Sequence, residues 1–337
     1  MGKTILTGGN VKGKIVIVIV FSIAAVSLLA VSIPRTGDFI GVNKLDEGEV
    51  QAVDRIVSRY RDNYRYINIA LVRDSEVVLT KSYGQNRLNK TDVYASVSKP
   101  VTAMIFLQLL EDGEITSVDD AIASYDEDYA DVLPEAYRDT PITFFHLLTH
   151  QSGVSHLSEL WNGEKLSLAF QPGTDVMYSS NAYGILGDVM SEIMGLSYSK
   201  MVDTYIGDPV GARSFWTIPH FQAPAGQVRS TIEDMAKFAI GVMDGTYVSE
   251  ETLQELVYKK YAQDASGDIC LGWYCTNLGS DELAIYHAGS NGRPRAFLAI
   301  KPYQGFAVAI TGFNHLETNQ HDFGDLTIEL MDALKDF

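Results

Sequence analysis

The sequence is short of positive charge: 26 Lys and Arg stand against 43 Asp and Glu, a formal net charge of −17. That balance excludes the electrostatic footprint of a nucleic-acid binder and argues against docking on anionic lipid. It identifies no cationic substrate, because a solvated acidic surface gives the same count. Cysteine is nearly absent, with only Cys270 and Cys275. Their context, Cys-Leu-Gly-Trp-Tyr-Cys, reads as strand, where an odd offset of five sends the side chains to opposite faces, with Cα atoms about 16 Å apart. A disulfide needs those atoms within about 7 Å, so two buried thiols are expected unless Gly272 bends the segment. Internal repeats and low-complexity tracts are also missing, and 337 residues at 46% hydrophobic suit one large domain or two intimately joined ones. A zinc signature is lacking too. His146 and His150 have the i, i+4 spacing that can chelate zinc, but no Glu follows His146 in the protease arrangement. No metal and no cofactor are expected.

What the chain does have begins with an uncharged apolar run from Ile15 to Ile33. At 1.5 Å per residue it spans about 28 Å, close to the bilayer's hydrocarbon thickness and longer than a secretory h-region of about 7–15 residues. Lys3, Lys12 and Lys14 precede it; Asp38, Asp46, Glu47 and Glu49 follow. The positive-inside rule then keeps residues 1–14 in the cytoplasm and exports the rest. The expectation is a single-pass transmembrane signal-anchor over 15–33, a linker over 34–46 and an extracytoplasmic domain over 47–337. Cleavage after Ala30-Val31-Ser32, giving a secreted protein, is the alternative.

Within the domain a helix is expected around Glu47–Tyr64, then strands Ile67–Arg73 and Glu76–Tyr83 about a turn at Asp74-Ser75. A helical, loop-rich region without clear strands runs from about 113 to 211. Helices resume at Thr231–Met243 and Ser249–Tyr258. Strands return at Ile269–Thr276, Ala284–His287, Arg295–Ile300 and Phe306–Gly312, and an amphipathic helix covers Phe323–Leu334. Strands at both ends with helices between them imply an α+β fold: an antiparallel sheet flanked by helices, with an inserted all-helical region.

Three segments carry chemistry. Ser96-Val97-Ser98-Lys99 opens an amphipathic helix with Pro100 early in it and Gly113 at its end, so Ser96 and Lys99 look into one space. A serine becomes a nucleophile when a base takes its proton, and a partly desolvated lysine can be that base. The pattern is weak alone, since roughly one or two chance matches are expected in a chain this long. Indeed Ser197-Tyr198-Ser199-Lys200 repeats it, and there Ser197 reads as a helix N-cap. Tyr178-Ser179-Ser180-Asn181, in a loop before a helix, places a phenol near small polar groups. Acting as a base near neutrality would need a cationic neighbour, and Lys99 is the candidate. His287-Ala288-Gly289-Ser290 ends a strand, where small residues let a substrate amide pair with the backbone and a free N–H can bind an oxyanion.

Taken in order, Ser-x-x-Lys, Tyr-x-Ser/Asn and His-x-Gly resemble the serine hydrolases related to class C β-lactamases and penicillin-binding proteins. Other segments extend the resemblance: Leu147-Leu148-Thr149-His150-Gln151-Ser152-Gly153, Ile206-Gly207-Asp208-Pro209-Val210-Gly211, Ser230-Thr231 before Asp234 and Phe238, and Leu271-Gly272-Trp273. The resemblance implies a catalytic set of Ser96, Lys99 and Tyr178. Ser96 would be acylated, Lys99 would share its proton and keep Tyr178 reactive, and Tyr178 would serve as base and then acid. Ser180, Asn181, His287, Gly289 and Ser290 would bind substrate, the N–H groups of Ser96 and Ser290 forming the oxyanion hole. Two departures stand out. Ser180 takes the place of the usual Asn, with Asn181 one later, and His287 stands where β-lactamases and transpeptidases usually carry Lys. A histidine is only partly charged near pH 7 and is a weaker handle for a carboxylate. An esterase or a peptidase for small or D-configured peptides therefore gains over an efficient β-lactamase. Arg293 and Arg295 could supply a carboxylate contact or be plain strand-end arginines. The partner implied is a small-molecule or short-peptide substrate. A penicillin-binding-like sensor module without turnover is the alternative from another class.

Overall fold

Strand-forming residues from the two ends of the chain meet in one sheet, as the sequence pattern implies. The N-terminal part supplies β1 (Phe39–Asn43), α1 (Glu47–Ser58), β2 (Tyr64–Arg73), β3 (Glu76–Tyr83) and the two-residue β4 (Asp92–Val93). The middle holds α2 (Ser98–Glu111), α3 (Phe144–Leu148), a short β5 (Trp161–Asn162) and β6 (Lys165–Leu166), α4 (Ser180–Met194), α5 (Tyr198–Met201), α6 (Ala223–Gly226), β7 (Arg229–Ser230), α7 (Ile232–Met243) and α8 (Glu250–Thr252). The C-terminal part returns to β8 (Ala262–Asp264), β9 (Gly267–Cys270), β10 (Trp273–Thr276), β11 (Ala284–Ser290), β12 (Pro294–Lys301) and β13 (Phe306–Asn314), and closes on α9 (Asp322–Ala333). This computed structural model describes residues 37–156, 160–162, 165–316 and 322–334. The apolar run over 15–33, and with it the expected anchor, lies outside the described residues; among those described, no helix is long and apolar enough to cross a membrane.

The nine-stranded sheet has the order β1-β3-β2-β13-β12-β11-β10-β9-β8, and each neighbouring pair is antiparallel. β2 and β13 pair inside it, joining the N-terminal and C-terminal parts of the domain. The turn between β2 and β3 takes Asp74 and Ser75 to φ +52° and +57°, the left-handed pair that a two-residue hairpin turn requires. One face is covered by α1 and α9, whose Val53, Val57, Leu326 and Leu330 pack on Ile67, Ile69 and Ile310. The other carries α2, α4 and α7 around Met104, Phe106, Leu186 and Phe238.

Four expectations are corrected. Residues 34–46 are not all linker, because Phe39–Asn43 forms an edge strand against β3. The helix after Ser96 is not amphipathic: from Ser98 to Leu107 every residue is buried, so α2 is a central helix with no solvent face. The region 113–211 contains the small β5–β6 hairpin. The segment 269–276 is not one strand but two, folded back at Leu271-Gly272, where Gly272 takes φ +80°. That bend brings the Cys270 and Cys275 Cα atoms to 6.0 Å and they form a disulfide. A side chain at Gly272 would lie 2.2 Å from the Ala103 Cβ, so the hairpin leans directly on α2, one turn after Lys99.

Closing so short a loop stabilises the fold by roughly 2 kcal/mol in the chain-entropy picture. Urea unfolding of a Cys270→Ala, Cys275→Ala variant should show that loss, and an unchanged midpoint would contradict it.

Candidate active site

The site is built around the turn that leads into α2. Asp92 of β4 is locked from several sides: Tyr66 Oη and Arg87 Nη2 donate to its Oδ1 at 2.8 and 2.7 Å, while Asn68 Nδ2 and Thr311 Oγ1 donate to its Oδ2 at 2.7 and 2.8 Å. β4 pairs with β7, and the Tyr94 N–H donates to Val228 O at 3.0 Å. Ala95 then takes φ +46°, a left-handed conformation that costs a residue with a Cβ and persists only where its surroundings enforce it. Ser96 follows in the single turn Ala95–Val97, and α2 begins at Ser98, whose own hydroxyl accepts the Val228 N–H at 3.0 Å.

Lys99 lies in the first turn of α2, wholly buried. Its Nζ donates to Ala225 O at 3.0 Å and to Ser180 Oγ at 3.4 Å, and sits 4.6 Å from the Tyr178 ring centroid and 5.5 Å from that of Tyr183. Its contacts are carbonyl, hydroxyl and ring faces, with no carboxylate among them. Burial therefore pulls its pKa from 10.5 to about 7. Tyr178 is hydrogen-bonded to Ser96, and burial raises its phenol well above the ordinary value in spite of that bond. Burial thus disfavours the Tyr178 phenolate and the charged form of Lys99 alike, so of the two Lys99 is the group nearer to accepting a proton at neutrality.

Three imidazoles ring Tyr178. The centroids of His150, His156 and His287 lie 4.5, 5.3 and 6.3 Å from its own. Burial first, and then Lys99, holds all three below the usual histidine range. His287 falls to about 3 and its Nδ1 faces the Ala288 carbonyl at 2.8 Å. Burial thus disfavours its charged form, and it is bound to its own strand, which makes it a poor handle for a substrate carboxylate. His150 and His156 take the Ser179 and Ser180 N–H groups on their Nδ1 atoms at 3.2 and 3.1 Å, fixing the loop into α4. His146 caps α3 with Thr143 instead.

Ser180 and Asn181 part company. Ser180 meets Lys99, whereas Asn181 Oδ1 accepts from Gln222 Nε2 at 2.8 Å. On β11, Gly289 is required by close approach: a Cβ there would lie 2.2 Å from Tyr94 O and 3.2 Å from Ser96 N. β10 pairs only with Ala284–Tyr286, so His287–Ser290 present an edge that β10 does not cover. That edge, with Ser96, Tyr178, Tyr274 and Arg295, lines a cleft of about 680 Å³. Arg295 is buried and its Nη1 donates to Ser290 Oγ and the Gly292 carbonyl. Arg293 is exposed, with its guanidinium 5.9 Å from the Phe313 ring centroid. The second S-x-x-K is a cap, as its sequence suggests: Ser197 Oγ accepts the Lys200 N–H and Lys200 pairs with Asp203.

The sequence brought out Ser96, Lys99, Tyr178, Ser180 and the Gly289 strand, which the fold brings together. It missed the roles of His150 and His156. The first lay in a recognised segment that named no function for it, and the second had no sequence signal.

Several known proteins are similar to this chain in sequence and in fold. A family model described as Beta-lactamase matches residues 53–328. The chain is 27% identical over 197 residues to the D-alanyl-D-alanine-carboxypeptidase/endopeptidase AmpH of Escherichia coli, covering 49% of this chain and 50% of that one. It is 26% identical over 161 residues to the teichoic acid D-alanine hydrolase of Staphylococcus aureus, 42% of this chain and 38% of that one. The chain thus spans about half or less of the length of these two relatives. Among solved structures, a β-lactamase/D-alanine carboxypeptidase from Yersinia pestis superposes with TM-score 0.67 at 18% identity, covering 85% of this chain and 99% of that one. An octameric penicillin-binding protein homologue from Pyrococcus abyssi gives 0.66 at 20% identity, covering 80% and 74%.

A Lys99 with no counter-ion should titrate near pH 7, charged below and neutral above, far from the ordinary lysine value. NMR of isotope-labelled lysine amines, assigned with Lys99→Met, reads this directly; titration near 10 would refute it.

Proposed function

The chain belongs to the beta-lactamase family of serine hydrolases, and on that premise we propose that it cleaves an ester or amide bond through an acyl-enzyme on Ser96, as an esterase or D-amino-acid peptidase rather than an efficient β-lactamase. The observation that carries this reading is the contact set Ser96–Tyr178–Lys99, with a lysine neutral enough at pH 7 to take a proton. Ser96 Oγ attacks the substrate carbonyl carbon while its proton passes to Lys99, by way of the Tyr178 hydroxyl bonded to it. The carbonyl oxygen becomes an oxyanion facing the N–H groups of Ser96 and Ser290. Its collapse breaks the bond to the leaving group, which takes the proton back through Tyr178. Water then attacks the Ser96 ester by the same route, releasing the acid and restoring the serine. Support for D-amino-acid substrates comes from the names of the two relatives above. A neutral His287 where β-lactamases usually carry lysine disfavours capture of a β-lactam carboxylate.

A fluorescent phosphonate probe should label the wild type and fail on Ser96→Ala; labelling that persists would sink the assignment. Hydrolysis of p-nitrophenyl esters and D-alanine amides should exceed that of a chromogenic cephalosporin, whereas one acylation without turnover would favour a binding module. Tyr178→Phe should lower kcat by at least about a hundredfold, the scale of general acid–base help. Because Lys99 must be neutral, kcat/KM should fall as pH drops below about 7.

A further inference from the structure

We propose that a second pocket, behind the catalytic turn, binds a phosphate-class oxyanion through Arg65, Arg87 and Arg229. The pocket measures about 310 Å³ and shares no lining residue with the cleft that contains Ser96. Its wall is formed by the starts of β2 and β4, by β7, and by the end of β13.

Three arginines line it, Arg65 exposed and Arg87 and Arg229 half-buried, in a chain whose net charge is −17. The one carboxylate among them, Asp92, is saturated. Its Oδ1 accepts from Tyr66 and Arg87 and its Oδ2 from Asn68 and Thr311, so it has little left for Arg65 or Arg229. Among the described residues Arg87 pairs with Asp92 but neither Arg65 nor Arg229 forms an ion pair, although acids outnumber bases by 43 to 26. Arg229 carries a further sign of a missing partner: its Nε is buried with no hydrogen bond. Its guanidinium is 5.1 Å from the ring centroid of Trp216, an exposed residue whose Nε1 donates to Thr91 at the pocket's edge. Packing against the ring restrains the guanidinium, which lowers the cost of ordering it around a ligand.

Three positive charges less the one on Asp92 leave two, which matches a phosphate dianion. Guanidinium forks fit tetrahedral and planar oxyanions alike, but only a doubly charged one balances the pocket. Asp92 stands four residues before Ser96, on the strand that sets the catalytic turn. The oxyanion is either free phosphate or a phosphate group on a larger substrate reaching past that turn.

The test is titration of the full-length chain with inorganic phosphate at constant ionic strength, followed by tryptophan fluorescence and by Tm. A saturable change is expected in wild type, with the Kd raised at least about tenfold in Arg65→Ala and in Arg229→Gln, the loss of one charge-assisted contact. Arg87 is spared because it holds Asp92. An equal response to sodium chloride, or variants that bind as wild type does, would overturn the proposal. A phosphate-bearing ester whose hydrolysis phosphate inhibits competitively, while a neutral ester is unaffected, identifies a substrate-borne group. Saturable binding that changes neither KM identifies a free ligand.

Discussion

A lysine buried without a counter-ion is the constraint on which the rest of the site depends. Driving the Lys99 pKa from 10.5 to about 7 corresponds to a penalty on the order of 5 kcal/mol against its charged form. A protein can meet such a penalty by pairing the cation with a carboxylate, which restores a high pKa and removes the base. Here its contacts are the Ala225 carbonyl, the Ser180 hydroxyl and two tyrosine rings, enough to hold a neutral amine and orient it. The lowered basicity of the three histidines follows in part from the same group. Each is pushed down by burial and then by Lys99, so protonating the cluster would bring like charges together in a dry space.

Position comes from two strained or crowded backbone points that face each other. Ala95 is held at positive φ on one side, and Gly289 passes within reach of Tyr94 O and Ser96 N on the other. Both are held in place by their surroundings. The first is enforced by β4–β7 pairing and the Asp92 network, the second by six registered pairs between β11 and β12. The nucleophile is therefore fixed by the sheet and by the helical layer at once, and its accuracy derives from the stiffness of both.

Sequence patterns captured much of this, for reasons that can be named. Long elements with a clear period, such as β2, β3, β13 and α7, were legible because burial on a repeating face leaves its mark on residue type. The motif residues were legible because their chemistry limits the choice of side chain. What failed were features decided by tertiary context. α2 looked amphipathic from its stripe but is covered on every side by α4, α6 and the β9–β10 hairpin. The strand over 269–276 broke because Gly272 lets the chain reverse against Ala103, and the disulfide followed from that bend. β1 escaped because five residues of edge strand with two glycine or polar positions carry little pattern. The charge state of His287 was invisible, since it depends on depth rather than neighbours in sequence.

Asp92 shows how far the same logic extends. Its carboxylate is surrounded by donors from β2, β13 and the loop before β4, so it joins the centre of the sheet to the turn bearing Ser96. Removing it would take an acceptor from Tyr66, Asn68, Thr311 and Arg87 at once, a cost that grows with each buried group. The same saturation that makes Asp92 a rigid anchor leaves it little capacity to accept from Arg65 or Arg229. One buried carboxylate thus ties the strands of the sheet to the backbone just ahead of the nucleophile.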